Sequence, residues 1–406
     1  MSSSFWSSSH CRYWLVTRSH LLAARSLDSQ YATPRQLYCL GIWFANLIQK
    51  LGKKLNLRQI PIATATVLFR RFYLKNHYCE TNPYLVIAAC LFVAAKVEET
   101  PVHIKVVVND AKIVFTENGI RMFSPEPTKV GEMEFYLLED LDFHLVVFHP
   151  YRSLLHICGR EPADSGKFAK SRVEEDAEIK RKETEARRKH EDARKVSLGV
   201  GRMNAMIDDV SGGEWEESEE KRIRRLMGRG SGEGLMDIDE GVVQMCLFVI
   251  NDTYRTDVHL LYPPYVISLA VLYIGFCFVA KNNPTGTRTT RGSSFQVTNL
   301  ASSTDINAAL GLDAPPTGVA EFFASFEVSL PILFACIQDI IVLYPIWEAF
   351  EPMSRGADAK AEKDKDSFTS DDAEALVRRM IEARAVALTH PDTSSYQLAG
   401  SKRRRP

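Results

Sequence analysis

The sequence predicts an all-α protein in which two helical bundles follow one another. Three observations point there. Apolar residues recur at three- and four-residue spacing through residues 34–145, prolines and short polar runs punctuate those stretches, and one long apolar segment is echoed far downstream. With 406 residues, a net charge of -1 and 45% hydrophobic residues, the chain suits a soluble protein of two or three domains with room for a real core. Near neutrality leaves no electrostatic footprint for nucleic acid.

The first 27 residues are rich in serine and arginine and carry no acid, a composition shared with mitochondrial transit peptides. Pro34 then suits a helix start, and "QLYCLGIWFANLIQKL" sets Leu37, Leu40, Phe44, Leu47, Ile48 and Leu51 on one face. "IPIATATVLFRRFYL" follows, then "PYLVIAACLFVAAK" from Pro83, which is apolar all round as a helix enclosed by its neighbours would be. "KVGEMEFYLLEDLDFHL" adds a stripe of Met133, Tyr136, Leu137 and Leu141.

The segment from Pro83 matches "PYVISLAVLYIGFC" from Pro264 without a gap: Ala89 and Ala270, Leu91 and Leu272, Ala94 and Gly275 recur in step, as in a duplicated unit. The copies part at their ends. Lys96 has Cys277 as its counterpart, and no acidic pair follows the second copy. The run 266–280 is shorter than the roughly 20 residues a membrane span needs, so it reads as a core helix and no membrane partner is expected.

Between the copies, "KSRVEEDAEIKRKETEARRKHEDARK" (170–195) has no face to bury and reads as a solvated helix or a disordered arm. "GRGSGEG" (228–234) fits neither the Rossmann nor the Walker spacing and follows no strand. Residues 282–305 form a second polar insertion. Beyond Pro352 the text reads as a disordered tail, closing on "SKRRRP", which fits a nuclear address and equally a solvated basic end.

No catalytic constellation is present: no HExxH, no GxSxG, no kinase signature, and no nucleophilic cysteine spaced with a histidine. His149 and His156 stand seven apart and read as structural histidines rather than metal ligands. Eight cysteines stand singly, Cys39, Cys90, Cys158 and Cys277 among them. Zinc ribbons and redox pairs are therefore not expected, and buried thiols in a reducing compartment are. No cofactor, no metal and no enzymatic activity are expected; a bundle without site residues acts by binding.

The charges closing the first apolar copy carry the sharpest expectation. Lys96 and Glu99 are spaced as an ordinary surface pair, worth a few tenths of a kcal/mol (roughly). Glu134, however, lies beside Met133, Leu137 and Leu138, so it is expected to be half-buried and to want a cation, and Lys96 is the candidate. Such a pair at the rim of an apolar surface can fix the register of a docked helix or loop.

"AAKVEE" followed by "MEFYLLEDLDFHL" resembles the cyclin box, and the duplicate resembles a cyclin's second fold. "FWSSSH", "LRQIPIATATVLFRRFY", "HPYRSLL" and above all "INDTYRTDVHLLYPPY" narrow the resemblance to the cyclin C branch of that family, over residues 1–158 and 242–350. The resemblance implies two tandem cyclin-box bundles and a nuclear regulatory subunit. It would bind and activate the cyclin-dependent kinase of the Mediator kinase module, which phosphorylates the RNA polymerase II C-terminal domain. Lys96 and Glu134, with Glu99 beside them, would bind the kinase. Trp6 would belong to an N-terminal docking arm, which competes with the transit-peptide reading. Asn251 and Asp252 would line a groove between the folds for other module subunits, or serve as helix-capping residues.

The expected organisation is an arm over 1–33, a first box over 34–147, a second fold over 148–160 and 241–350, a charged insertion over 161–240, and a tail over 351–406. Three departures from the pattern stand out: there is no "MRxxL" patch on the first helix, Arg70-Arg71 stands where an acid usually precedes the arginine, and Leu247 replaces a groove tryptophan. The alternative function is a cyclin-fold general transcription factor resembling the factor IIB group and binding promoter DNA; that group's zinc ribbon and basic second fold are both missing here.

Overall fold

The computed structural model describes residues 4–158, 240–282, 323, 326, 328–351 and 368–389, and these are helical with no strand among them. Two short helices, α1 (Ser9–Tyr13) and α2 (Arg18–Ala24), form the arm, each started by a side-chain cap, Ser8 and Thr17. α3 (Pro34–Lys54) opens on a reciprocal capping box between Thr33 and Gln36 with Pro34 in the first turn. It buries Leu37, Leu40, Phe44, Leu47, Ile48 and Leu51, the stripe its spacing sets.

α4 (Gln59–Lys75) and α5 (Pro83–Val97) pack along each other, α5 entered through an Asn82 cap and Pro83. Every α5 residue from Tyr84 to Ala95 except Phe92 is buried, which explains a sequence apolar on all sides. α6 (Ile104–Glu117), capped by His103, covers α3 and α5 through Val107, Val108, Ala111, Val114 and Phe115. α7 (Pro127–Asp140) completes the first bundle with Val130, Met133 and Leu137 inward.

The second bundle uses α8 (Pro150–Ile157), α9 (Glu240–Thr253), the short α10 (Val258–Leu261), α11 (Pro264–Asn282) and α12 (Leu330–Phe350). α11, the echo of α5, is central here as α5 is in the first. Its small residue is needed: a Cβ on Gly275 would come within 2.7 Å of Cys246 Sγ on α9. α12 is long and apolar enough to cross a membrane by length and composition, with a mean hydropathy of 1.8. In this fold it packs on α11 through Leu333, Cys336 and Ile340, and its Asp339 accepts from Tyr262 Oη at 2.8 Å.

The two cores interlock. Ala63 and Val67 of α4 lie in the second core, while Leu260, Leu343 and Phe350 reach into the first. Buried Arg70 ties the seam, pairing with Asp257 and donating to the Tyr254 carbonyl at 3.2 Å. His149 bridges Thr64 Oγ1 (2.8 Å) and Tyr254 Oη (2.7 Å), and His259 stacks on Tyr254 at 3.9 Å. Burial holds the pKa of His149 and of His10 down at about 3 and that of His259 lower than its ordinary value, so all three are neutral structural groups. Seven cysteines are buried and all eight are free.

Part of the expected tail is ordered, which corrects the expectation of disorder there. α13 (Ala373–Thr389) docks on the first bundle and buries Ala373, Leu376, Val377 and Met380. Phe368 stacks on Phe350, and Arg384 bonds Glu80 at 2.8 Å. The stripe at i, i+3, i+4 and i+7 is that of an amphipathic helix, and Arg378, Arg379 and Glu382 face water. The 170–195 charge run, the 228–234 glycines, most of the second polar insertion and the basic end all lie outside the described residues.

Candidate functional site

α5 leaves the interior at Lys96, whose side chain is 42% exposed; Glu134, projecting from α7, is 15% exposed and pairs with it. The Lys96 ammonium also sits over the Phe92 ring, 4.1 Å from its centroid. The surface pair of Lys96 with Glu99 considered from spacing does not form among the described residues, because Lys96 turns to Glu134. Glu98 turns inward and accepts from Thr64 Oγ1 at 2.6 Å, which leaves Glu99 as the exposed acid at this helix end. An ion pair this open to water stabilises the fold by about 1 kcal/mol at most. Intrachain stability is therefore a small part of what it is for.

Backbone geometry singles out the same region. Four helices of the first bundle end in one closure, in which the residue after the cap turns left-handed and the next amide reaches back to a carbonyl five residues earlier. α6 uses Gly119 and α3 uses Asn56, residue types that accept that conformation. α5 uses Glu99 (φ 54°), and α7 uses Asp142 (φ 50°) followed by Phe143 (φ 57°). A left-handed side-chain-bearing residue costs about 1–2 kcal/mol, and such strain persists where the surroundings hold it and function uses it.

An exposed apolar surface accompanies these charges: Phe135, next to Glu134, is 73% exposed, and Phe143 is 72% exposed. Phe135 had one signal in the sequence, its position on α7 off the stripe that Met133 and Leu137 define, whereas Phe143 follows the end of that helix and had none.

The turn after α7 is held from behind. Lys75 pairs with Asp142, Asn76 Nδ2 donates to Asp140 at 2.7 Å, and fully buried Arg71 donates through Nη1 to the carbonyls of His144 and Val146, both at 3.2 Å. Burial pulls the Arg71 pKa down to about 9.

Between the folds lies a shallow cleft lined by Gln49, Gln59, Asn251, Tyr254 and Arg255, and Asp252 is not among the residues that line it. Asn251 and Asp252 lie in the last turn of α9 and are not N-caps: Asn251 Oδ1 accepts from Tyr151 Oη at 2.6 Å, and Asp252 Oδ1 from Arg255 at 2.9 Å. Arg255, unnoticed in the sequence, is the hub, bonding Asn46 (2.7 Å) and Gln49 (3.0 Å) and lying 3.9 Å from the Trp347 ring centroid. Those partners are some 200 and 90 residues away (roughly), a separation local patterning cannot bridge. Trp6 does not line this cleft; it is exposed and packs against Tyr265. Leu247, standing at the tryptophan position, is partly buried against the second core.

The chain has clear relatives in sequence. The model for the cyclin N-terminal domain matches residues 25–146. An RNA polymerase II holoenzyme cyclin-like subunit of Mycosarcoma maydis is 36% identical over 360 residues, covering 85% of this chain and 90% of that one. The chain belongs to the family of RNA polymerase II holoenzyme cyclin-like subunits. A member from Aspergillus terreus is 28% identical, covering 86% of this cyclin and 93% of the relative. Among solved structures, a chain of the CAK complex of Chaetomium thermophilum bound to ATP-gamma-S overlaps 98% of this cyclin and 97% of its own length, with a TM-score of 0.45 and 14% identity. As a cyclin, the chain is a non-catalytic, kinase-regulating subunit. The factor IIB-like alternative is set aside.

Proposed function

We propose that this cyclin activates the cyclin-dependent kinase of the Mediator kinase module by docking it on the first box, over residues 34–147, with Lys96 and Glu134 as the charged anchor. Glu99 stands beside them, and Phe135 and Phe143 supply apolar contact. The observation that carries the reading is the Lys96–Glu134 pair, placed where a fully apolar helix surfaces beside exposed phenylalanines. Both charges can hydrogen-bond a docked backbone while the rings bury apolar area, the division of labour found at interface hot spots.

Kinase activity requires a glutamate of the kinase's αC helix to swing in and meet the lysine that positions ATP. A cyclin that binds only the swung-in form shifts that equilibrium by its difference in affinity for the two forms, and supplies no chemistry itself. In this reading the activated kinase phosphorylates the RNA polymerase II C-terminal domain in the nucleus, and this chain makes no direct contact with nucleic acid. The cleft lined by Asn251 and Arg255, with Asp252 bonded to Arg255 beside it, is the site for another module subunit, with Trp6 on a separate face of the arm.

The test is co-purification of the tagged chain with its kinase, wild type beside Lys96→Glu and Glu134→Lys, with helicity checked by circular dichroism. Each reversal is expected to weaken binding by about 2 to 4 kcal/mol while the helical signal stays. Folded variants that keep the kinase would make the pair a bundle stabiliser and overturn the reading.

A further inference from the structure

The closure at the end of α7 needs one left-handed residue, and Asp142 supplies it; Phe143 is a second, which the helix end does not require. Among the described residues nothing rewards that geometry by burying the Phe143 ring, which is mostly exposed. Groups from outside the turn hold it. Arg71 grips the His144 and Val146 carbonyls, and Lys75 pairs with Asp142. The N-terminal arm closes over both cations. Buried Trp14 lies under them, with Arg71 Cζ 5.2 Å and Lys75 Nζ 5.6 Å from its ring. Tyr13 stacks parallel on His144 at 4.9 Å, and His10 Nδ1 accepts from the Phe148 amide at 3.0 Å.

We propose that Tyr13 and Trp14 are positioning residues: acting through Arg71, Lys75 and His144, the arm locks the Asp142–Phe143 turn in its left-handed form and so fixes how Phe143 meets the docked kinase. This rests on the docking reading above. It gives the arm a part in kinase binding that needs no contact of Tyr13 or Trp14 with the kinase. An arm released from α4 would free the turn to relax, and Phe143 would then have to be ordered when the kinase binds, at an entropic cost to affinity.

A double-mutant cycle on kinase binding tests the coupling, using the full chain and the cyclin-dependent kinase that co-purifies with it. Phe143→Ala is expected to weaken binding about thirtyfold, as loss of an aromatic hot spot does. Trp14→Leu and the gentler surface variant Tyr13→Ala are expected to weaken it roughly tenfold and threefold. In the Phe143→Ala background the same arm variants should change binding less than about twofold, because the element they position is gone. Fully additive effects, or arm variants that bind as wild type, would overturn the proposal. Lys96→Glu in the same assay separates the two readings. If it loses the kinase while the arm variants are additive or silent, only the lock falls; if it keeps the kinase, the docking reading falls and the lock with it.

Discussion

α5 and α11 are the same helix used twice, and their ends show what a scaffold needs and what a surface needs. Both are largely buried over their described side chains, start at a proline followed by tyrosine, and use small residues where neighbours press in. At the fourteenth position of each they diverge. Lys96 breaks into solvent and pairs with Glu134, whereas Cys277 stays fully buried, its thiol pushed up to about 11 by burial. Packing alone explains the cysteine. It does not explain the lysine, whose partly exposed pair gives the fold little, nor the left-handed glutamate three residues on. The bundle repeated its interior and reserved its charges for one copy.

The largest expected effect comes from giving the second copy the first copy's residue. Cys277→Lys would place an ammonium at a fully buried position and should cost about 3–5 kcal/mol, read as a lower midpoint in urea unfolding. A variant as stable as wild type would mean the two helix ends are interchangeable and would remove the basis of the comparison.

Truncating the helix that covers the first bundle comes next. Met380→Ala removes a buried side chain of α13 and should cost about 2–4 kcal/mol in the same measurement. An unchanged midpoint would show that the first bundle closes without α13.

Acid should act on the seam. His10, His149 and His259 titrate near 6.5 when unfolded (roughly) but only at much lower pH in the fold, near 3 for the first two. The unfolded chain therefore binds more protons between those values. Their contribution is complete above about pH 6.5 and falls by about 1.4 kcal/mol per pH unit per histidine as pH drops through that window. Because all three lie at the arm and the junction, amide exchange should rise there before it rises within α5 and α7; simultaneous loss would contradict the assignment.

How much of this was legible in the sequence depends on the range of the interaction. The α3 stripe, the enclosed α5 and the repeat in α11 follow from local periodicity. So does the partial burial of Glu134 beside Met133 and Leu137; Lys96 was its candidate partner only on the condition that the two helices pack together, 38 residues apart in sequence. α6 went unremarked because "IKVVVNDAKIVFTE" is rich in β-branched residues, which obscures a helix held by packing. α13 was missed because Arg378, Arg379, Glu382 and Arg384 dilute a four-residue stripe. The turn gave little signal: Asp142 is of a type that visits the left-handed region, but Phe143 is not one that such a backbone ordinarily selects. Arg255 gathers partners from two distant helices, α3 and α12, which only the fold brings together.

The most direct test of the docking claim is a charge swap, Lys96→Glu combined with Glu134→Lys, measured by kinase co-purification alongside unfolding by urea. The swap keeps an ion pair between α5 and α7 and reverses what a partner meets. The account predicts a chain of near wild-type stability that no longer holds the kinase. A swapped chain that recovers the kinase as well as wild type would show that only the pairing within the bundle matters, and would contradict the account.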